Sequence, residues 1–384
     1  MQKDIQKDAL LSDRLFQQEL RIQQWIKEHS NILEERSSYT IPVVVHVLWN
    51  TPAENISDER IIAAIEALNE DYSASNHDLD KVPAIFQPLV AAIDIQFCLA
   101  TKAADGSATS GITRTRTFVD SMSIRDVYYT AGEGHDAWDT NKYLNIWVAN
   151  LKEGPVGFGS CPGQKIPEED GIVIDYEVFG LNNHPRLNLG RTLTHEVGHY
   201  FCLLHLWGNK LFADCDEDDH IADTPRQDNN FSGRCPDVEG VEPESCGSAD
   251  MYMNFMNFTN DECLHLFTKG QKLRMLASLL GPRRTLLNSD ACQNIMQPDP
   301  EKGIVYIGPN PTSGIIYLNT YLAAESDIEL DLFTAQGQLV YRYHTLAVNT
   351  YFSHLIDGQQ LSTGLYILSL RIGQQREIHK IIIK

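Results

Sequence analysis

Three histidines and one glutamate fall within a short segment near the middle of the chain, RTLTHEVGHYFCLLHLW at 191–207. His195 and His199 are four residues apart, so on a helix their imidazoles share one face and can bind one zinc ion. His205 follows six residues after His199, too far for one continuous helix to deliver it, so the chain must turn between them. Three protein ligands leave a fourth zinc position for water or substrate, the arrangement of a catalytic site.

Glu196 stands beside the first histidine, where its carboxylate can hydrogen-bond a zinc-bound water and act as a general base. A bare H-E-x-x-H sequence also arises on ordinary buried helices, but the third histidine favours zinc. The alternative is that all three are satisfied core or surface groups. The remaining histidines are interpreted in that way, including His46, which is expected to pack within a strand.

Elements before residue 206 must position this segment. Residues 39–49 (YTIPVVVHVLW) are β-branched and apolar, as in a buried strand. Ser57 is expected to cap a following helix. Further strands are predicted at 93–100, 143–149 and 171–178. Strands mixed with helices indicate an α/β-type sheet layer with backing helices.

From 206 to 263 the periodicity disappears, and a loop this long in a compact domain is usually functional or held by crosslinks or metals. Thr268 and Gln271 then form a capping box for a helix that ends at Gly281. Four of the eight cysteines lie between 215 and 263. Their clustering indicates local disulfides and an oxidising compartment, whereas the alternative is a set of buried thiols in a cytosolic protein.

The chain therefore divides into several expected regions. Residues 1–36 form a helical N-terminal arm or prosegment, or else a flexible terminus. Residues 37–296 form a catalytic domain, with an upper subdomain to about 205 and a lower subdomain at 206–296. A linker at 297–303 leads to a small all-β sandwich at 304–384, where short strands alternate with turn signals.

Composition excludes some classes of function. Lys and Arg number 31 against 52 Asp and Glu, giving a formal net charge of −21, which disfavours nucleic-acid binding because phosphate contacts need clustered cations. Hydrophobic residues make up 42%, ample for a packed core. No apolar run is long enough to span a membrane, and the first residues contain no apolar segment typical of a signal peptide.

The segment HEVGHYFCLLH resembles the long zinc signature of the metzincin metalloendopeptidases. Further landmarks follow in the order typical of the pappalysin family, and the resemblance covers roughly 39–290. These landmarks are Cys215, the acidic run 216–219, Asp223-Thr224-Pro225, Cys235, Cys246, Met253-Asn254-Phe255-Met256, Cys263 and Phe267-Thr268. The implied fold is α+β: a mixed α/β-type sheet with a backing helix and an active-site helix, metzincin-like, followed by the β sandwich.

The same resemblance implies roles for individual residues. It makes His195, His199 and His205 the ligands of a catalytic zinc and Glu196 the general base. It places Met256 in a Met-turn, a tight turn beneath the metal, whereas a lone methionine is otherwise more often core filler. It also implies the disulfides Cys215–Cys246 and Cys235–Cys263, although four cysteines alone allow three pairings.

The acidic segment DCDEDDHIADTP at 214–225 suggests a second metal. Its density of carboxylates suits Ca²⁺, which takes only oxygen ligands, while the alternative is a solvated loop. The family resemblance favours structural calcium. We expect Asp219 and Thr224 to be ligands, Thr224 through its carbonyl.

Three features depart from the family pattern. Cys202 replaces the glycine that normally ends the helix in a left-handed conformation, at a cost on the order of 1 kcal/mol; it could instead act as a soft metal ligand. Phe258 replaces a tyrosine whose hydroxyl would help stabilise the tetrahedral intermediate, so the enzyme could be slow. The N-terminal arm has no cysteine, so if residues 1–36 are an inhibitory prosegment, Asp4, Asp8 or Asp13 would have to block the zinc in place of a thiolate.

The C-terminal region carries a second resemblance, to the sorting domains of the type IX secretion system of Bacteroidetes-type bacteria. The pieces that carry it are GPNPTSG at 308–314, DLFTAQGQLV at 331–340, LSTGLYILSL at 361–370 and the terminal KIIIK. The alternative is an ordinary carbohydrate-binding or adhesive sandwich. This resemblance implies a secreted or cell-surface bacterial protein that uses the secretion machinery as a partner.

The expected function is secreted, zinc-dependent endopeptidase activity on protein or peptide substrates, with the zinc-bound water activated by Glu196. Three alternatives remain open at this point. They are a zinc-binding pseudoprotease or slow protease that serves as an interaction module, a different zinc hydrolase such as an amidase or deacetylase, and an adhesin in which only the β domain matters.

Overall fold

The computed structural model describes most of the chain in two compact units, residues 1–292 and 293–384. The described residues are 9–29, 38–152, 154–208, 213–236, 242–292, 306–308, 312, 315–321, 326–347, 351–358 and 361–383. The expected linker at 297–303 lies outside them.

A six-stranded, mostly parallel sheet forms the centre of the first unit. Its strands are β1 (Tyr39–Trp49), β2 (Ile95–Leu99), β3 (Ile112–Arg116), β4 (Leu144–Ala149), β5 (Gly157–Gly159) and β6 (Ile172–Asp175). The order is β2-β1-β4-β6-β5, and β3 pairs with the second half of β1. Only β5, at the end of this order, is antiparallel to its neighbour. The apolar run of β1 reflects this position, because a parallel strand is covered on both faces.

The described residues of the first unit form four α-helices. They are α1 (Ala9–Glu28), α2 (Asp58–Tyr72), α3 (Arg191–Tyr200) and α4 (Lys269–Leu280). Ser57 caps α2, and Thr268 with Gln271 forms the capping box of α4, so both capping predictions are confirmed. The core between the sheet and helices α2 and α3 contains the buried side chains of Val45, Ile65, Ile146, Leu193 and Val197.

The segment after α3 is almost without regular structure. Between 206 and 263 its described residues contain only the two-residue strands β7 (Glu244–Ser245) and β8 (Ser248–Ala249) and one short 3-10 turn. The fold class is thus the expected one, a mixed sheet with few helices followed by an irregular lower part. The sequence did not reveal β3 or β5, because each is short and neither carries a strong apolar pattern.

The second unit packs two antiparallel sheets against one core. One sheet has the order β13-β10-β9 and the other β12-β11-β14-β15. The strands are β9 (Tyr306–Gly308), β10 (Ile315–Tyr321), β11 (Ser326–Thr334), β12 (Leu339–Ala347), β13 (Tyr351–Asp357), β14 (Gly364–Ile372) and β15 (Gln375–Ile383). The core includes Leu318, Leu330, Ile356 and Leu368.

Helix α1 gives the N-terminal arm a defined place. Its Glu19 carboxylate receives hydrogen bonds from the Arg274 guanidinium of α4, at 2.8 Å from Nη1, and its Ile22 is buried beside Cys202 and Ala277. Of the proposed zinc blockers, Asp4 and Asp8 lie outside the described residues, as does the side chain of Asp13. No helix among the described residues is both long and apolar enough to cross a membrane.

Candidate metal centre

The three histidines of the predicted zinc signature converge. One ring nitrogen from each of His195, His199 and His205 lies within 4.8 Å of the others. The Nε2 atoms of His199 and His205 are 3.1 Å apart. His195 is buried, while His199 and His205 are partly exposed, so the group lies at the edge of the core with access from outside.

Backbone carbonyls fix the orientation of two of these rings. The Nδ1 of His195 donates to the carbonyl oxygen of Phe255 at 2.7 Å. The Nδ1 of His199 donates to the carbonyl oxygen of Leu203 at 2.8 Å. Because a carbonyl only accepts, each ring carries its proton on Nδ1 and presents the Nε2 lone pair to the centre. In metal sites, a hydrogen bond from the ring nitrogen that does not bind the metal fixes the tautomer and orientation of the imidazole.

The electrostatics keep the three rings neutral. Withdrawal from water lowers the pKa of His195 to about 3 and that of His199 to about 4. The pKa of His205 falls well below its usual value, first through burial and then through the neighbouring histidines. Neutral imidazole is the form that binds metal, so the ligand form is present across the physiological range.

Glu196 lies on α3 beside these rings and is buried against strand β5. Burial raises its pKa to about 8, and a hydrogen bond from the Gly159 backbone offsets part of this rise. A Cβ at Gly157 would come within 2.7 Å of the Glu196 Oε1 atom, and one at Gly159 within 2.1 Å of its backbone oxygen. Both glycines are therefore required for the close approach. Neither glycine was predicted from the sequence, although the Gly-Phe-Gly pattern before Cys161 is a signal of close backbone packing.

Buried ion pairs hold the start of α3. The Asp261 carboxylate accepts from the backbone N–H of Leu189, at 2.8 Å, and of Arg191. The guanidinium of Arg191 pairs with Asp71 of α2 and with Asp78. These contacts join α3 to the backing helix and to the segment after the metal-proximal turn, so they fix where the first histidine enters the site. Sequence spacing gave no sign of them.

The end of α3 turns as the position of His205 requires. Cys202 adopts a left-handed backbone with φ 66°, the conformation expected for the glycine it replaces. Its sulfur forms a disulfide with Cys161. The idea that Cys202 is a soft metal ligand is therefore wrong, because a disulfide sulfur has no thiolate to offer. This pairing was not predicted from the sequence.

Met256 lies beneath α3 in a tight turn. A Cβ at Gly198 would lie 2.4 Å from the Met256 Sδ atom, so the helix and the methionine are in direct contact. The turn closes with a hydrogen bond from the Asn257 N–H to the Asn254 carbonyl at 2.9 Å. The side-chain amides of Asn254 and Gln271 exchange two hydrogen bonds, which tie this turn to the capping box of α4.

Phe258 follows this turn and faces the histidines. Its ring centroid lies 4.6 Å from that of His205 and 5.0 Å from that of Trp207, and its side chain is 37% exposed. The phenyl ring supplies no hydrogen-bond donor there.

The acidic segment contains one carboxylate that is only half satisfied. Asp219 is fully buried, and its Oδ1 accepts from the Thr224 hydroxyl at 2.7 Å and from the Ile221 N–H at 3.1 Å. Its Oδ2 has no hydrogen-bond partner among the described residues. Burial raises the pKa of Asp219 to about 7. A buried carboxylate oxygen without a partner is costly, and an oxygen-seeking cation would relieve that cost.

The cysteines of the lower part are paired as the family resemblance implies. The structure joins Cys215 to Cys246 and Cys235 to Cys263. A fourth disulfide, Cys98–Cys292, links strand β2 to the end of the first unit. Together with Cys161–Cys202 these bonds use all eight cysteines. Two of the four lie in the irregular segment between 206 and 263, where regular hydrogen bonding is sparse.

Family models match two regions of the chain. Residues 131–280 match a peptidase family, M43, described by pregnancy-associated plasma protein-A. This region contains the three histidines, Glu196 and Met256. Residues 304–384 match a secretion system C-terminal sorting domain.

Several individual proteins are similar to the first unit. An extracellular metalloprotease of Arthroderma gypseum is 30% identical over 272 residues, which cover 68% of this chain and 80% of the relative. Mirolysin in complex with a compound is 40% identical with a TM-score of 0.61, covering 65% of this chain and 96% of that one. A mutant of promirolysin from Tannerella forsythia is 38% identical with a TM-score of 0.63, covering 70% and 92%.

Proposed function

Because this chain belongs to the pappalysin family of metalloendopeptidases, we propose that it hydrolyses internal peptide bonds at a zinc ion held by His195, His199 and His205. The observation that carries the proposal is the convergence of three ring nitrogens, two of them on rings whose other nitrogen donates to a backbone carbonyl. The Nε2 lone pairs of His195 and His199 both face this centre, where one metal ion could accept them.

The donor set fits zinc. Three neutral imidazole nitrogens with an accessible side match the ligand type of catalytic zinc sites, whereas calcium and magnesium select oxygen. When bound, zinc lowers the pKa of a water molecule and polarises the scissile carbonyl.

Glu196 acts as the general base and then as the general acid. Its carboxylate takes a proton from the attacking water and returns it to the nitrogen of the departing amine. Burial raises the pKa of this group to about 8 in the metal-free site, and the positive charge of a bound zinc ion would favour the carboxylate form that acts as the base. The glycines of β5 keep other side chains away from the carboxylate on that side, so its orientation is set by backbone.

The substrate binds as an extended chain along β5. This strand ends the sheet order, and its Gly157 and Gly159 lie directly against Glu196. An edge strand offers backbone donors and acceptors to a peptide, which pairs as an added strand. The scissile bond is thereby brought beside the general base without any need for a particular side chain, which suits a protease acting on proteins.

Phe258 favours a second candidate function, that of a slow protease or zinc-binding interaction module. No hydroxyl stands where the family pattern places one, and loss of one donor to the developing oxyanion lowers rates by about 10²–10³. The presence of Glu196, the expected general base, favours a catalytic role over a purely binding one. The two possibilities differ in turnover and agree on zinc.

We further infer that the acidic segment binds a structural calcium ion through Asp219 and the carbonyl of Thr224. The support is the buried Oδ2 of Asp219, which has no partner among the residues described. Calcium accepts carboxylate and backbone carbonyl oxygens together. Binding would fix a segment that otherwise depends on two disulfides.

The C-terminal unit points to the destination of the enzyme. The sorting-domain match at 304–384 supports export by a type IX secretion system and release outside a bacterial cell or retention on its surface. Four disulfides agree with an oxidising compartment.

The test compares the full chain with Glu196→Gln, which is matched in size. Both are assayed for zinc content and for cleavage of a diverse peptide mixture. One zinc per chain in both proteins, with internal cuts only in the wild type, supports the endopeptidase. Zinc without cleavage in either protein would favour the interaction module. Absence of zinc from both would refute the proposed metal site.

A further inference from the structure

The Cys161–Cys202 disulfide lies where the chain leaves α3 and turns toward His205. Cys202 has φ 66° and is 2% exposed. Residues with a Cβ rarely occupy this left-handed region, whereas glycine does so readily. The turn is thus intrinsically unfavourable for the residue that makes it, and the surrounding structure must hold it in place.

This one residue controls the geometry of two metal-facing rings. The Cys202 N–H donates to the His199 carbonyl at 2.8 Å, and the next N–H, of Leu203, donates to the Gly198 carbonyl at 2.9 Å. The Leu203 carbonyl is then the acceptor for His199 Nδ1. If Cys202 left the left-handed region, His199 would lose its orienting carbonyl and His205 its direction of approach.

Cys161, the partner of Cys202, follows a strand that is packed tightly against α3. Cys161 comes two residues after β5, and β5 is packed tightly against α3, since a Cβ at Gly159 would lie 3.1 Å from the His199 Cβ. The disulfide therefore links the turn to a strand whose position against the same helix is already fixed. Such a link restrains Cys202 relative to the histidines rather than relative to a mobile loop.

Other groups enclose the disulfide. The Arg274 guanidinium donates to the Cys202 carbonyl at 2.7 Å. The Gln18 amide of α1 lies 3.3 Å from the Cys161 sulfur and 3.4 Å from the Cys202 sulfur. By contrast, Cys215–Cys246 and Cys235–Cys263 lie within the irregular lower part. The bond at the end of α3 is the one built onto the metal site.

We propose that the Cys161–Cys202 disulfide is a positioning device for the metal centre, which holds Cys202 in the left-handed turn and so places His199 and His205. The disulfide stabilises the left-handed conformation that a glycine at this position would adopt without strain. The inference rests on the proposed zinc function. It predicts that zinc affinity depends on this bond and that glycine at 202 removes the dependence.

The experiment uses the full chain in three forms: wild type, the pair Cys161→Ala with Cys202→Ala, and the pair Cys161→Ala with Cys202→Gly. The two pairs differ by one methyl group, and both lack the disulfide. Zinc affinity is measured by competition with a chromogenic chelator. We expect the alanine pair to bind about 10–100-fold more weakly than the wild type, the range typical for loss of a group that orients metal ligands. The glycine pair is expected to bind close to wild type.

The outcomes separate positioning from general stabilisation. Equal weakening in both pairs would overturn the proposal, because a bond that merely stabilises the fold is not replaced by glycine. Wild-type affinity in the alanine pair would overturn it as well. A wild type without zinc would instead refute the proposed function and this inference with it.

A reductant provides a second measurement, which also decides the question if the alanine pair does not fold. A trialkylphosphine converts the disulfide to two thiols while it takes up the oxygen of one water and becomes the phosphine oxide. Alkylation and mass spectrometry verify opening at Cys161 and Cys202. Faster zinc release in the wild type than in the glycine pair, which keeps the other three disulfides, supports the proposal. Equal release rates contradict it.

Discussion

His46 and His195 are both buried, at 0% and 8% exposure, but they differ in how their ring nitrogens are used. His46 accepts from the Thr113 hydroxyl at Nδ1, at 2.8 Å, and donates from Nε2 to the Asn145 side-chain oxygen at 3.0 Å. Its ring also stacks on His135, with centroids 4.2 Å apart. Both nitrogens are satisfied by side chains of neighbouring strands or loops.

His195 uses only one nitrogen in this way. Its Nδ1 donates to a backbone carbonyl, and its Nε2 faces the other two histidines of the trio. A buried imidazole with two partners is part of the packing, whereas three rings whose nitrogens converge on one point form a ligand set. Burial by itself therefore says little about function, and the second nitrogen distinguishes a metal ligand from a structural histidine.

The largest effect is expected when one histidine of the metal centre and one histidine of the sheet are replaced in separate variants. His199→Ala removes a nitrogen that has no substitute, so zinc content should fall to near zero and peptide cleavage to below about 1% of wild type. His46→Gln should keep full zinc content and nearly full activity. Metal analysis and peptide cleavage on the same samples check both. Loss of zinc in His46→Gln would mean that the two regions are coupled.

Phe258→Tyr tests the part of the site beside His205. The phenyl ring packs against His205 and carries no donor, so an added hydroxyl can assist the developing oxyanion. We expect kcat to rise by about 10–100-fold with little change in KM, because the hydroxyl acts in the transition state. Phe258→Leu is the control for altered packing. An unchanged kcat in the tyrosine variant would show that another donor already serves.

Sequence and structure agree where local rules are strong. Strand β1 and the caps of α2 and α4 followed from apolar runs and capping residues, which act over a few positions, while the α+β fold class was implied by the family resemblance. The i, i+4 spacing of His195 and His199 likewise placed both rings on one face. Local chemistry of this kind needs no knowledge of the rest of the chain.

The elements that the sequence did not reveal depend on distant contacts. The partner of Cys202 is 41 residues away, and its identity depends on where β5 passes α3. The ion pairs of Arg191 join residues from three separate segments. The three residues of β5 have no apolar periodicity. The need for glycine at two of them arises only because Glu196 packs closely against this strand. The contacts that hold the metal ligands in place were therefore less predictable from the sequence than the ligands themselves.

Asp219 extends the comparison from histidines to carboxylates, since one of its oxygens is satisfied and the other has no partner among the described residues. If that oxygen binds calcium, saturating Ca²⁺ at about 100 times its dissociation constant should stabilise the fold by about 2.7 kcal/mol. Asp219→Asn should abolish this gain. Thermal unfolding with and without Ca²⁺ measures it. A calcium-independent melting curve for the wild type would contradict the site.

The smallest expected effect concerns acid stability and His46. Burial lowers the pKa of His46 to about 3 in the folded state from an ordinary value of 6.5. Between these two values the unfolded chain binds a proton that the folded chain refuses, so stability falls as pH falls through this window. One such proton contributes a slope of up to about 1.4 kcal/mol per pH unit. Above pH 6.5 the contribution is fully present and the slope vanishes.

His46→Gln removes this proton and keeps a donor for Asn145. The free energy of unfolding of the variant, measured with denaturant in the presence of a chelator, should therefore lose less on acidification between pH 6 and 4. The chelator is needed because the trio also takes up protons as it releases zinc, and in the metal-free state that uptake is common to both proteins. The difference between the two curves then reports His46 alone. Parallel curves would mean that His46 is protonated in the folded state, and its ring would then have to donate from both nitrogens rather than accept from Thr113.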